Sequence, residues 1–180
     1  MGAGIDLRRL VQAAAAGDPG AWDTLLERFG SLVWSTIRAY GLSPEEGANA
    51  AQTTWLRLAE QLDRLEDQYD RVGVWLAATA RRESLRLLGL KRVDLAGVSY
   101  TAPGSSAPAE PAEPGRKSLL WGIIRQLPEH CRRLLRVLST VPTPSHEEVA
   151  AALDLPPTSV PAAQAACLKE LRHHIANIQR

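Results

Sequence analysis

Gln52–Arg92, QTTWLRLAEQLDRLEDQYDRVGVWLAATARRESLRLLGLKR, decides the fold. It reads as two amphipathic helices joined by a polar, acidic loop, Asp63 to Asp70, and the second helix closes on arginine and lysine. In that second helix Leu76, Ala77, Ala80, Ser84, Leu87 and Leu88 share one face, which should pack on the helix before it. Trp75, Thr79, Arg82 and Arg86 follow at spacings of four, three and four, so they rise together along another line. Arginines on such a line hold phosphates, and an aromatic ring supports an unstacked base. Helix chemistry alone favours a plainer reading, with Trp75 in the core and the arginines on a solvated face.

Outward from there, the N-terminal half is helical throughout. Asp6–Ala16 places Leu7, Leu10, Val11 and Ala14 at helical spacing and stops at Gly17. Asp18 caps the next helix, with Pro19 in its first turn, where a missing N–H costs nothing. That helix carries Trp22, Leu25, Leu26, Phe29, Leu32, Val33, Ile37 and Tyr40 as an apolar stripe up to Gly41. Ser43-Pro44-Glu45-Glu46 is a capping box opening a helix to about Leu62, with Ala51, Trp55 and Leu58 inward. The helix bearing Trp75 is expected to end near Leu88, where Gly89 weakens it.

The composition then shifts. Residues 93–117 are rich in proline, glycine, serine and alanine and read as a flexible Pro/Ala/Gly linker. It divides the chain into domains at 5–92 and 118–180. The second begins with a helix over Ser118–Gln126, and Pro128 opens another through Cys131, Leu134, Leu135 and Leu138. Ser145-His146-Glu147-Glu148 is a second capping box before a short helix to Leu153. A proline turn leads to a cap at Ser159 and a last helix carrying Val160, Cys167, Leu168, Leu171, Ile175 and Ile178. Short helix, tight turn and longer helix make a helix-turn-helix. The fold class is all-α, in two small helical domains.

Composition narrows the function. Of 180 residues, 45% are hydrophobic and 23% charged, and the formal charge is +1. No apolar run approaches the ~18 residues of a membrane helix, and no secretory signal is visible. Two cysteines cannot make a disulfide framework; both lie in apolar stripes, where a thiol acts as a small hydrophobe. With His130, His146, His173 and His174 they lack the paired spacing of structural zinc, so no metal or other cofactor is expected. These features point to the cytoplasm. No nucleophile motif, phosphate loop or glycine fingerprint appears, so the chain does not read as an enzyme. A near-neutral charge also argues against bulk binding to DNA, so any contact must come from a local patch or with a partner's help.

The stretch from Gly17 to Leu88 resembles region 2 of bacterial sigma factors of the extracytoplasmic-function group, in the sigma-70 family. LPEHCRRLLRVL, followed by SHEEVAAALDLPPTSVPAAQAACLKELR, resembles their region 4. The resemblance implies a protein that binds core RNA polymerase and directs it to promoter DNA for melting and initiation. Glu46, Asn49, Gln52 and Arg57 would dock on the polymerase clamp helices. The Asp63–Gly73 segment would take a flipped base of the −10 element. Trp75, Thr79, Arg81, Arg82, Arg86, Lys91 and Arg92 would meet the DNA around it. Region 4 would dock on the polymerase flap and set Ser159, Ala162, Gln164, Ala165, Ala166, Lys169 and Arg172 at the −35 element. An anti-sigma factor is a further partner that the linker-joined architecture allows.

The sequence departs from the family pattern at three places. Asn49 stands where an acidic residue is usual, and Gln164 and Ala166 stand where arginines are common. GLKRVD keeps only Lys91 and Arg92 of a denser basic run. Each change weakens a contact by about 1–3 kcal/mol where the lost group paired with a base. Two other classes fit the residues. One is a degenerate sigma-like adaptor that binds polymerase without opening DNA, which the alanine-rich last helix favours. The other is a free-standing helix-turn-helix regulator, against which the charge argues.

Overall fold

The computed structural model describes residues 6–96 and 122–178, and every regular element among them is helical. Helix α1 (Leu7–Ala15) starts where the Asp6 carboxylate accepts the Arg8 N–H, and Gly17, at φ 85°, turns the chain out of it. Helix α2 (Pro19–Ala39) is capped by Asp18, whose Oδ1 accepts from the N–H groups of Gly20 and Ala21. The Trp22 indole donates to the Ala14 carbonyl at 3.0 Å and ties α2 back to α1. Helix α3 (Pro44–Gln61) begins in the expected capping box: Ser43 Oγ accepts the Glu46 N–H while Glu46 Oε2 accepts the Ser43 N–H at 2.9 Å.

Two boundaries differ from the sequence reading. The segment expected as a polar loop is a 3-10 helix over Leu62–Arg71, kinked at Gln68. Side chains three apart eclipse in a 3-10 helix, so Leu62 and Leu65 both turn into the core. Tyr69 packs against that core with the Arg8 guanidinium over its ring, 4.8 Å from the centroid. Helix α4 (Val72–Ala96) continues past Leu88 into the first residues assigned to the linker. One glycine costs a helix only about 1 kcal/mol relative to alanine, and Leu90, Lys91 and Arg92 are good helix formers. The rest of the 93–117 linker falls almost wholly outside the described residues, as does the start of the Ser118–Gln126 helix, of which 122–126 is helical.

The C-terminal part contains α5 (Glu129–Leu138), α6 (His146–Leu153) and α7 (Val160–Ile178). The capping box of α6 forms as expected, with Glu148 Oε2 accepting the Ser145 N–H at 2.7 Å. Asp154 ends α6 in the left-handed conformation, φ 60°. Ser159, expected as a helix cap, sits in a 3-10 turn over Pro157–Ser159, and its hydroxyl donates to the Pro156 carbonyl at 2.8 Å.

The two helix groups share one continuous apolar core. Leu25, Val33, Ile37, Leu58 and Leu76 from the first and Leu134, Val137, Val149 and Ala152 from the second belong to it. Helix α6 lies along α4, and α5 lies on α2. Gly73 makes the first crossing close: a Cβ there would stand 2.9 Å from Phe29 Cε1 and run into the Glu148 carboxylate. The reading of the cysteines needs correction. Both are buried, but they are not separate thiols: Cys131 on α5 and Cys167 on α7 form a disulfide, with Cα atoms 5.2 Å apart. A separation of 36 residues gave no sign of that meeting, because it depends on how α7 returns across α5.

Candidate nucleic-acid interface

The residues of α3 divide by exposure. Asn49 and Gln52 are open to solvent, while Glu46 is partly buried and engaged in the capping box. Arg57 is half exposed and commits one nitrogen, Nη2, to Glu83 Oε1 at 2.9 Å. Glu83 is 2% exposed and also accepts from Arg86 Nε at 2.8 Å. One buried carboxylate on α4 therefore fixes an arginine of α3 and an arginine one turn further along α4. Sequence reasoning missed Glu83. Its spacing from Leu76 and Ala80 put it on the inward stripe, which was the available signal.

Along α4 the line drawn from the sequence splits. Leu76, Ala77, Ala80 and Ser84 are buried, as their shared face required, with Leu87 and Leu88 partly so. Arg82 and Arg86 are exposed. Thr79 is 1% exposed and does not belong to the outward line; its Oγ1 accepts from Arg82 Nη2 at 3.1 Å and braces that arginine. Trp75 is partly buried against the core. Arg82 Nε also reaches the Ala78 carbonyl at 3.3 Å, so its guanidinium lies along the helix surface. Lys91 and Arg92 fall on the last turns of α4, where their side chains are outside the described ones.

Arg81 faces elsewhere. Its side chain is 18% exposed and paired with Asp154, the left-handed residue at the end of α6. Nearby the Tyr40 hydroxyl donates to the Ala152 carbonyl at 2.8 Å, and the Arg133 guanidinium stands 5.1 Å from the Tyr40 ring centroid. Burial holds the Tyr40 phenol above its ordinary pKa of 10.0, although Arg81 and Arg133 pull the other way. Thr140 Oγ1 and Ser35 Oγ lie 2.9 Å apart, and Ser31 Oγ donates to the Val141 carbonyl at 3.0 Å. These contacts join the two helix groups into one body, and none was legible from the sequence.

On α7 the exposed residues include Ala162, Ala165, Ala166, Lys169 and Arg172, while Gln164 and Ser159 are partly covered. The helix thus offers a smooth strip with a basic end. His130, Cys131 and Cys167 bring potential ligand atoms within 4.8 Å of one another, with both sulfurs already joined.

Residues 25–92 match the family model for Sigma-70 region 2, which spans α3, most of α2 and nearly all of α4. No curated protein matches the chain. Among solved structures the fold is similar to the one described as "Structure of CnrH in complex with the cytosolic domain of CnrY". The TM-score is 0.60 at 20% identity, over 96% of this chain and 99% of that one. The region 2 match covers the helices that carry the exposed arginines, and the likeness in fold extends through the helix-turn-helix, so residues 25–92 are similar to Sigma-70 region 2 within a chain that shares the fold of CnrH.

Proposed function

We propose that this protein is a cytoplasmic sigma factor that binds core RNA polymerase, recognises promoters and opens DNA at the −10 element. The observation that carries the proposal is the region 2 match over the helices on which Asn49, Gln52, Arg82 and Arg86 are exposed. In this reading Glu46, Asn49, Gln52 and Arg57 dock on the clamp helices. Arg82 and Arg86, with Trp75 behind them, receive the −10 strand. Thr79 acts by bracing Arg82. Arg81 joins them once it leaves Asp154, so engagement of both promoter elements requires the two helix groups to part.

Helix α7 would meet the −35 element. Ala162, Ala165 and Ala166 carry no hydrogen-bonding group and can touch only a thymine methyl, so base reading falls to Gln164, and Lys169 and Arg172 serve the backbone. The −35 preference is accordingly relaxed. CnrH is described in complex with a protein domain, and we propose an anti-sigma partner for this chain in the same manner. The exposed alanines also favour a second reading, an adaptor that binds polymerase without opening DNA.

Reconstituted transcription separates the readings. Core polymerase with this protein should start RNA chains from fragments of a genomic library. Co-purification with polymerase and no open complex would favour the adaptor. A tight, specific gel shift without polymerase would favour a free-standing regulator.

A further inference from the structure

We infer that Cys131 and Cys167 form a thiol–disulfide exchange site that sets how firmly α7 is held, taking its oxidising equivalents from small disulfides. The consequence for promoter reading rests on the role proposed above for α7. The helix has little else to hold it: among its described residues only Val160 and Cys167 are buried, with Ala163 and Leu171 packed partly against the core. Cys167 is its mid-helix anchor. When bonded to Cys131, it ties α7 covalently to α5, which packs on α2 and belongs to the shared core. When reduced, the same position offers a small thiol.

The geometry allows both states. Cα atoms 5.2 Å apart lie within the range a disulfide spans without backbone movement. Both sulfurs are buried, so an attacking thiol reaches them when α7 lifts, and besides Cys167 only Val160 is buried among the described residues of α7 to hold it down. The exposed His130 ring offers a nitrogen within 4.8 Å of both sulfurs, and a ring N–H so placed can donate to the departing thiolate. Among the described residues three donors, one of them exposed, fall short of the four of a closed structural zinc site, and the two sulfurs are already joined, so the cluster is assigned to exchange. In a reducing compartment a disulfide of this kind is one that cycles.

The chemistry balances with a small disulfide as the co-reactant. One cysteine thiolate attacks a sulfur of oxidised glutathione, forming a mixed disulfide and expelling one glutathione thiolate. The second cysteine thiolate attacks the mixed disulfide at the protein sulfur and expels the other. Two electrons pass from the cysteine pair to glutathione, and the two protons of the cysteine thiols end on the two glutathione thiols.

The test uses the full chain in buffers of fixed reduced-to-oxidised glutathione ratio. Free thiols are alkylated and counted by mass, and amide exchange is followed in parallel. The pair should convert in one two-electron transition. Amides of α7 should exchange at least ten-fold faster in the reduced form, while those of α2 to α4 keep their rates. H130A should reach the same end points several-fold more slowly, and C131A–C167A should show the reduced pattern in every buffer. Should that double variant fail to fold, the reversible wild-type comparison carries the same information. A pair that stays reduced at every ratio, a bond that resists excess reductant in the native protein, or a reduced form whose α7 exchanges as slowly as the oxidised one would overturn the inference. No polymerase enters the experiment, so its outcome is independent of the sigma-factor reading.

Discussion

Glu83 is the residue on which the candidate surface turns. Its buried carboxylate holds Arg57 through one oxygen and Arg86 through the other, and both arginines are about half exposed. Each pair alone is worth little, because the arginine end is screened by water. R57A or R86A should each lower stability by less than about 1 kcal/mol. Removing both strands a buried charge, so the double variant should lose about 3 kcal/mol or more, well beyond additivity, in urea unfolding. A simple sum of the two losses would show that Glu83 is not the common support. The sequence shows the exposed arginines, but the one sign of what aims them is the spacing that sets Glu83 on the inward stripe with Leu76 and Ala80.

At the scale of elements, local chemistry was the most legible part. Both capping boxes, the Asp18 cap and the glycine stop at Gly17 sit where the sequence put them. Gly89 looks like an end in the sequence, yet α4 passes through it, because one glycine costs less than its helix-forming neighbours offset. Nothing lies within 4 Å of a Cβ built at Gly89, so G89A should meet no obstacle there. It should stabilise the protein by about 0.5–1 kcal/mol and raise its melting temperature; a lowered melting temperature would contradict a continuous α4. Charge hid the three-residue spacing of Leu62 and Leu65, which a 3-10 helix uses to bury both.

At the scale of the whole molecule, the two helix groups form one core, and the sequence could not have shown it. Their contacts join residues more than a hundred positions apart, such as Tyr40 with Ala152, so no local pattern carries them. The closed body is held by a few polar contacts as well as apolar packing, and one of them titrates. The folded state keeps the Tyr40 phenol neutral above its ordinary pKa of 10.0, so this contribution is complete below pH 10 and is lost as pH rises through the raised value. Scattering measurements should show the wild type expanding in that alkaline range. Y40F should lose this Tyr40-linked component, expanding less steeply there; an identical alkaline transition would place the titrating group elsewhere. G73A, which drives a methyl group toward Phe29 and Glu148, should open the same seam at neutral pH by about 1–3 kcal/mol of overpacking, and scattering would again report it.

In the proposed function these helices, once parted, direct polymerase to promoters. The most direct test is to sequence the 5′ ends of transcripts made by core polymerase with this protein on a genomic library. Discrete start sites sharing a −10 motif are expected, with little or no common −35 motif because α7 presents alanines where bases would be read. Absence of initiation from any fragment, with polymerase that is active alongside another sigma factor, would contradict the proposed function.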